Sequence, residues 1–202
     1  MVRANLLRNN GDASEEEEEK SIKHYSNLHK ILLVGEGDFS FAACLAQAFS
    51  STVNIVATSI NAQVSSKWLY KRASANMEIL EGLGGTILHE VDAHNMTEHP
   101  DLGHKSFDRI VFNFQHTGYK GHDHSNSQIQ RHQELVRAFL KSARSMLTRN
   151  GQIHVTHKTA YPFSKWEIEK LAEEDEKLRL VEKAKFSESD YSGYVNERGD
   201  GS

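Results

Sequence analysis

Cysteine, proline and long apolar runs are scarce in this chain. Cys44 is the single cysteine among 202 residues, so no internal disulfide forms and an intracellular compartment is expected. Cys44 lies on the apolar side of a predicted helix, where a thiol is more often a small core residue than a nucleophile. No stretch approaches the ~20 apolar residues of a membrane span, and the first residues lack the apolar core of a signal peptide. We therefore expect a soluble, non-secreted protein with no membrane partner.

A basic surface is also missing. Lys and Arg number 24 against 28 Asp and Glu, which gives a formal net charge of −4. Proteins that bind nucleic acid tightly usually release counterions from many phosphates, which needs many basic side chains. The composition therefore argues against autonomous binding of nucleic acid. If the partner is RNA, an adaptor protein is one source of the missing positive surface.

The composition divides the chain into two parts. Residues 1–27 contain the acidic run from Glu15 to Glu19 and no apolar periodicity, which predicts a disordered segment. The alternative for this segment is an acidic contact with a basic partner. Residues 28–202 have no internal repeat and no Pro- or Gly-rich linker, and their length suits one well-buried domain.

Short β-branched runs alternate with amphipathic stretches along this domain. Strands are predicted at 31–34, 53–58, 86–91, 107–114 and 152–158. Helices are predicted at 39–49, at 64–80, from 129 until Asn150 and Gly151, and around 166–171, with an extended closing segment at 178–186. This alternation predicts an α/β fold, with a mainly parallel, doubly wound sheet and helices on both faces.

The stretch that follows the first of these strands has the pattern of a ligand-binding turn. Ile31 to Val34 leads directly into Gly35, Glu36 and Gly37, and a helix follows with Asp38 or Ser40 as its N-cap. Glycines permit a positive φ and let backbone N–H groups approach a nucleotide-like ligand at the helix N-terminus. The pattern is half of a GxGxxG motif, so a tight turn without a ligand is the alternative.

Polar residues follow the other predicted strands. Asn61 would bind ribose hydroxyls or cap the next helix, and Asp92 would bind an adenine edge or cap the segment around Met96. Asn113 and His116 lead into a polar loop of about a dozen residues, a length typical of functional loops. Because the carboxyl ends of parallel strands share one edge, these residues are expected to lie together.

The same polar loop permits a metal hypothesis. His122, Asp123 and His124 offer two imidazoles and a carboxylate. Ligands one residue apart are geometrically awkward, and no cysteine is near, so a solvated loop without a metal is favoured.

Several motifs, taken in order, resemble one known family. They are GEGDFSF, ATSIN, VDA, FDRIVFNFQH, GQIHVTHK and the tail YSGYVNERGDG. The chain resembles, from about residue 30 to 201, the eukaryotic large-subunit ribosomal RNA uridine-N3 methyltransferase family. The resemblance implies a Rossmann-like class I methyltransferase fold, S-adenosyl-L-methionine as cofactor and ribosomal RNA as substrate.

The resemblance also implies roles for individual residues. The residues implied to hold the methionine part of the cofactor are Gly35, Glu36, Gly37, Asp38, Phe39 and Ser40. Asn61 would lie at the ribose and Asp92 at the adenine. Asn113 and His116 would face the substrate base. From the chemistry of N3 methylation, our hypothesis is that Asn113 holds the base edge, His116 accepts the N3 proton and Lys158 lies near O2 or O4, with Phe114 or Phe39 stacking on base or cofactor.

Two positions depart from the family pattern. Gln115 replaces a proline in the Asn-Phe-Pro-His pattern, and Asn61 stands where the family usually has Asp. Two other classes therefore stay open: a methyltransferase fold with another substrate or a non-catalytic interaction role, and a nucleotide-dependent oxidoreductase. The second class needs a third glycine and an acid after the second strand, and the chain has neither.

Location and assembly follow from the same hypotheses. Ribosomal RNA as substrate indicates the nucleolus, whereas the lack of a Lys/Arg cluster of the nuclear-import type keeps the cytoplasm open. A monomer is the default oligomeric state.

Overall fold

A parallel five-stranded sheet forms the centre of the molecule. The computed structural model describes residues 18–114 and 125–196. The strands in chain order are β1 (Ser21–Ile22), β2 (Tyr25–Ser26), β3 (Ile31–Val34), β4 (Ile55–Thr58), β5 (Thr86–Leu88), β6 (Phe107–Asn113) and β7 (Leu147–Thr156). The central sheet has the order β5-β4-β3-β6-β7 with every neighbouring pair parallel, while β1 and β2 form a separate antiparallel hairpin.

Helices cover both faces of the sheet. They are α1 (Ser40–Phe49), α2 (Gln63–Leu69), α3 (Ala73–Gly82), α4 (Asn126–Ser145) and α5 (Ile168–Glu173), with 3₁₀ turns at Met96–Glu98, Phe163–Trp166 and Glu188–Asp190. Ile31 and Leu33 pack in one apolar cluster with α1 and α3, whereas Leu32 and Val34 pack in another with α4 and α5. Because successive strand residues point to opposite faces, these two clusters are the two layers of a doubly wound sheet.

The strand order reverses in the middle of the sheet. From β3 the chain moves outward through β4 to β5, and it then returns to place β6 on the other side of β3. This arrangement is Rossmann-like, and the point of reversal lies between β3 and β6. The predicted fold class is confirmed.

The predicted helix at 64–80 is wrong as a single element. Tyr70 has an extended backbone, with φ −130° and ψ 115°, and separates α2 from α3. The apolar positions of α2 therefore do not continue the buried stripe of Ala73, Met77 and Leu80. Trp68, which the periodicity placed in that stripe, has 84% of its surface exposed.

The boundary between α4 and β7 also differs from the prediction. The helix ends at Ser145, and β7 begins at Leu147, five residues before the predicted strand. Phe107 pairs with Leu147, and its backbone N–H donates to the carbonyl of Met146. This pairing draws the chain into the sheet before Asn150, where the sequence pattern placed the helix end.

The prediction of disorder up to residue 27 is wrong for residues 21–27. Tyr25, Ser26 and Asn27 are buried, and the ring of Tyr25 packs edge-on against Phe41 of α1 with centroids 5.7 Å apart. Tyr25 therefore anchors the hairpin on the domain, which periodicity over such short strands cannot show. Residues 1–17 lie outside the described part of the chain.

The segments near the carboxyl end form no strand. Residues 178–186 have no regular secondary structure, and the sheet is not extended by residues 191–196. Phe186 instead stacks on Tyr191, with ring centroids 5.2 Å apart. None of the helices within 18–114 and 125–196 has the length and apolar character needed to cross a bilayer.

A hydrogen-bond relay ties the hairpin to β7. The hydroxyl of Tyr25 lies 3.0 Å from Nδ1 of His154, whose Nε2 lies 3.1 Å from Oε1 of Gln152. Because a Gln oxygen only accepts, Nε2 carries the hydrogen and Nδ1 accepts from the tyrosine. Burial, followed by the positive charge of Arg109, lowers the pKa of His154 to about 4.

Removing this hydroxyl should weaken the fold. We expect Tyr25→Phe to lower the free energy of unfolding by about 1 kcal/mol, because Nδ1 of His154 loses its donor.

The stability of the wild type should also fall as the pH drops from about 6.5 towards about 4, since the unfolded chain then binds a proton that His154 does not bind in the folded protein. Urea unfolding at pH 7 and pH 5 measures both effects. Equal midpoints for wild type and variant at pH 7 would contradict the relay.

Candidate functional site

The predicted site residues of the described chain lie at the carboxyl edge of the sheet. The turn at 35–40 follows β3, Asn61 follows β4, Asp92 follows β5, Asn113 ends β6, and Lys158 follows β7. Since all five strands are parallel, the structure brings these residues to one edge. His116 lies outside the described residues, as do Gln115 and the histidines at 122 and 124.

Each glycine of the turn faces an aromatic ring of the protein. Gly35 has φ +71°, and a Cβ placed on it would lie 2.8 Å from the ring of Phe112 on β6. A Cβ on Gly37 would lie 2.8 Å from Cζ of Tyr70. The ring contacts alone therefore require both glycines, so a bulky substitution at Gly37 would disturb Tyr70 whether or not a ligand binds.

The N-terminus of α1 is satisfied by acidic side chains of the turn. Oδ1 of Asp38 accepts from the backbone N–H of Ser40 at 2.9 Å, and Oε2 of Glu36 accepts from that of Ala42 at 3.3 Å. The N-cap position is Phe39, with φ 60° and no side-chain capping bond, so the predicted N-cap at Asp38 or Ser40 is wrong. Two of the amides expected to face a ligand are thus already bonded within the turn.

These acids create a buried acidic centre. Glu36 is fully buried, and burial, followed by repulsion from Asp38, raises its pKa to about 8 despite the amide of Ala42. Oδ2 of Asp38 is buried and has no hydrogen-bond partner within the described residues. An uncompensated carboxylate oxygen at this depth is unfavourable, so the site favours a cationic group and disfavours a phosphate.

The carboxyl-terminal segment covers the turn. The hydroxyl of Ser40 donates to the carbonyl of Val195 at 3.1 Å, and the N–H of Val195 donates back to that hydroxyl oxygen at 3.3 Å. Arg72 holds the same segment through the carbonyl of Gly193 at 3.0 Å. Burial, followed by the charge of Glu36, raises the pKa of Tyr194 above its ordinary value. Sequence reasoning assigned no role to this segment, although its Tyr-Ser-Gly-Tyr pattern was the available signal.

Asn61 and Asp92 differ in how far they are engaged. The N-cap of α2 is Ala62, without a side-chain bond, so the side chain of Asn61 does not cap that helix. Oδ1 of Asp92 accepts from the N–H of His94 at 2.9 Å and lies 2.7 Å from its Nδ1. Burial raises the pKa of Asp92, but the hydrogen bonds from His94 outweigh burial and hold that pKa below its ordinary value. Asp92 therefore shapes the turn after β5.

The end of β6 presents a second unsatisfied group. Nδ2 of Asn113 is buried without a hydrogen-bond partner among the described residues. Phe114 follows with φ 47°, and its ring meets Phe186 edge-on at 5.5 Å. The ring of Phe39, in contrast, is 0% exposed and packs on His89, so it is not placed to stack on a ligand.

Lys158 is exposed beyond the end of β7. Its Nζ lies 5.5 Å from the ring centroid of Phe163, a cation–π contact. The described residues contain no cluster of three or more His, Cys, Asp or Glu that could hold a metal ion. The hypothesis on His122, Asp123 and His124 falls outside those residues. Cys44 is buried, and its pKa is raised to about 11 by burial, as expected for a core thiol.

Comparison with known proteins decides the family. A family model described as "rRNA (uridine-N3-)-methyltransferase BTM5-like" matches residues 32–198. The chain belongs to this BMT5-like family. The matched region contains the glycine turn, all five strands of the central sheet from Leu32 onward, and the covering segment at 191–196.

Individual relatives extend this finding. The chain is 50% identical to an uncharacterized protein of Arabidopsis thaliana, over 91% of this chain and 88% of the relative. It is 45% identical to heavy metal-associated isoprenylated plant protein 41 of the same organism, over 93% of this chain but only 36% of that longer protein. It is 24% identical to the 25S rRNA (uridine(2634)-N(3))-methyltransferase of Saccharomyces cerevisiae, over 83% of this chain and 65% of that enzyme. The solved structure of TrmN from Thermus thermophilus is 17% identical, with a TM-score of 0.40, and covers 62% of this chain and 32% of its own.

The raised pKa of Glu36 predicts an unusual pH dependence of stability. The folded-state pKa of about 8 exceeds the ordinary 4.5, so the folded protein holds a proton that the unfolded chain releases. Stability should therefore fall as the pH rises from about 4.5 through about 8. We expect Glu36→Gln to remove this loss and to exceed wild type at pH 9 by about 3 °C or more in Tm. Circular dichroism between pH 5.5 and 9 measures it.

The control is Glu78→Gln, which changes an exposed carboxylate on α3. This variant should follow the wild-type curve. If Glu36→Gln also follows it, Glu36 does not carry its proton to the expected pH.

Proposed function

We propose that the protein is an S-adenosyl-L-methionine-dependent methyltransferase that acts on N3 of a uridine in large-subunit ribosomal RNA. Membership of the BMT5-like family supports this reaction. One observation carries the choice of cofactor. Among the residues that the structure describes, Oδ2 of Asp38 is buried without a hydrogen-bond partner, and it lies beside Glu36 where the strand order reverses.

The charge of this turn fits S-adenosyl-L-methionine. The cofactor brings a sulfonium and an α-ammonium group, both positive, and supplies an electrophilic methyl group when it is bound. Asp38 would accept from the ammonium through Oδ2, and Glu36 would add negative potential behind it, since a nearby cation favours the ionised carboxylate. A dinucleotide would bring an anionic pyrophosphate to the same two acids, which argues against the oxidoreductase alternative.

Other residues of the edge complete the cofactor site in this proposal. Asn61 would bind the ribose, since its side chain does not cap α2, and Asp92 would fix the turn that meets the adenine. Gly35 and Gly37 keep the turn close to β6 and Tyr70, and a ligand would approach the turn at the exposed Gly35 and the half-buried Gly37. Phe39 and Ser40 would contribute by holding the turn in place, because both side chains and the N–H of Ser40 are engaged in the protein.

The substrate base would enter beside the end of β6. N3 of uridine carries a hydrogen and is concealed by base pairing in a duplex, so the nucleotide must be single-stranded or flipped. Asn113 would donate from Nδ2 to a uracil carbonyl oxygen, which would satisfy this buried amide. His116 would take the N3 proton, which would leave N3 as the nucleophile for the methyl group that a bound cofactor supplies. Lys158 would stabilise negative charge on O2 or O4.

Asp38→Asn separates cofactor binding from folding. The amide keeps an oxygen for the N–H of Ser40 but removes the buried charge, so stability should be unchanged or higher. Affinity for S-adenosyl-L-methionine should fall about tenfold or more, because a charge-assisted hydrogen bond is worth about 1.5–3 kcal/mol. Isothermal titration calorimetry measures it, with NAD as the second ligand.

Asp108→Asn is the matched control. Asp108 accepts from the N–H of Lys30 at 2.9 Å at the amino end of the sheet, so its charge is remote from the turn. Cofactor affinity should be unchanged in this variant. Wild-type binding of NAD but not of S-adenosyl-L-methionine would refute the proposed cofactor.

His116→Ala tests the chemical step. We expect turnover to fall about 100-fold or more while cofactor affinity stays unchanged, because the general base is lost. The assay detects N3-methyluridine by mass spectrometry after incubation with unmodified large-subunit ribosomal RNA. His104→Ala, at an exposed histidine before β6, is the control and should retain full turnover. Cofactor binding without any methylated uridine would favour the alternative of another substrate or a non-catalytic role.

A further inference from the structure

Helix α2 presents its apolar side chains to solvent. Trp68 is 84% exposed, the largest fraction among the exposed large hydrophobic side chains of the described residues. Val64, four residues earlier on the same helical face, is 70% exposed, and Ile60 just before the helix is 62% exposed. Of the seven residues of α2, Ser66 alone is buried. Burial against the core therefore contributes little to the stability of this helix, and its exposed apolar face is typical of an interaction surface.

The stretch of sequence that contains α2 has basic but no acidic residues. The sequence from Phe39 to Met77 contains no acidic residue, and its three basic residues are Lys67, Lys71 and Arg72. Lys67 and Lys71 are exposed on either side of Trp68. In a chain of net charge −4, a stretch without acidic residues whose three cations all lie within 67–72, next to an exposed indole, differs from the overall composition.

Helix α2 borders the proposed cofactor turn. Tyr70, two residues after Trp68, lies against Gly37 of that turn. Arg72 donates to the carbonyl of Gly193 in the segment that covers Ser40. A ligand seated on Trp68 would thus lie on the helix that leads into these contacts with the proposed cofactor turn.

We propose that α2 is a stacking platform for single-stranded RNA, with a base on the indole of Trp68 and the flanking phosphates on Lys67 and Lys71. Exposed aromatic rings with adjacent cations are the chemistry by which proteins bind unpaired nucleotides. An apolar protein partner would explain Val64 and Trp68 but not the absence of acidic residues from the stretch of sequence that contains α2. The proposal rests on the proposed function, because a uridine presented for N3 methylation must be unpaired.

Fluorescence provides a direct readout of this platform. The chain has two tryptophans, and Trp166 is only 3% exposed. The probe is an oligouridylate of about 12 nucleotides, within the site size of single-strand binders. It should quench wild-type emission and protect it from iodide, whereas Trp68→Phe, which keeps a stacking ring, should bind with little change in the emission of Trp166.

Two further variants separate stacking from charge. Trp68→Ala should bind the oligouridylate about tenfold more weakly with an unchanged salt dependence, since the stacking of one base on an aromatic ring contributes affinity of this order. Lys67→Gln with Lys71→Gln should weaken binding and reduce the slope of log affinity against log salt by about 1.4, or ~0.7 for each phosphate that is no longer neutralised. Lys177→Gln with Arg179→Gln is the matched control, at exposed cations flanking Leu178, which packs against the cluster on the opposite face of the sheet.

The outcomes that overturn the platform are specific. The proposal fails if Trp68→Ala binds the oligouridylate as tightly as wild type, or if wild type does not bind it. It also fails if a duplex of the same length binds equally or more tightly, or if sedimentation shows self-association that depends on Trp68. Calorimetry with S-adenosyl-L-methionine runs in parallel and should give the same cofactor affinity for Trp68→Ala and wild type. If wild type binds the oligouridylate through Trp68 but binds no S-adenosyl-L-methionine, the platform stands and the proposed function fails.

Discussion

The placement of two carboxyl groups at the start of α1 is the constraint on which the site depends. Glu36 and Asp38 each accept a backbone N–H of the helix and satisfy two of its orphan donors. Both side chains are buried, so the turn concentrates acidic groups where a Rossmann-like fold commonly places an anionic phosphate. Positions 35 and 37 need glycine, because the rings of Phe112 and Tyr70 occupy the space that a Cβ atom would fill at each of them. In the proposed site, a turn of this composition would favour a ligand of the opposite charge.

The remaining elements keep this turn in place. β3 pairs with β4 on one side and β6 on the other, so the turn leaves the most central strand of the sheet. The N–H of Glu36 donates to the carbonyl of Thr58 at 2.8 Å, which ties the turn to β4. Asn76 of α3 donates to the carbonyl of Asp38 at 2.8 Å, and the segment around Val195 closes over Ser40. Contacts from distant parts of the sequence thus converge on the six residues 35–40 and hold the backbone of the turn, while the carboxyl groups bond to N–H groups of α1.

Sequence analysis predicted correctly the strands that depend on a local run of apolar residues. Buried parallel strands appear as short apolar runs, so β3, β4 and β6 were predicted nearly at their observed bounds, and their carboxyl ends fixed the edge of the site. The break at Tyr70, the anchoring of Tyr25 and the early start of β7 depend on contacts between residues far apart in sequence, on Gly37, His154 and Phe107. The part of Glu36 at the start of α1 was missed for a related reason. Sequence analysis considered Asp38 or Ser40 as the N-cap, whereas the bond from the N–H of Ala42 to Glu36 joins residues six apart across a turn in which Gly35 and Phe39 have positive φ.

The electrostatics of the chain resolve an apparent conflict in the proposed reaction. A methyltransferase that acts on RNA must hold a cationic cofactor and an anionic polymer within a few ångströms of each other. An evenly mixed surface, as the net charge of −4 indicates, would serve neither ligand. The structure separates the two requirements by depth: acidic groups lie buried at Glu36 and Asp38, and positive charge lies exposed at Lys67 and Lys71 on and just after the neighbouring helix. The carboxylate buried at Asp38 would act on a group seated against the turn, while the exposed lysines would act on a polymer in solution, where salt screens their attraction beyond about 10 Å. Net charge is therefore a poor guide to ligand choice here, and the position of each charge relative to the turn is the relevant quantity.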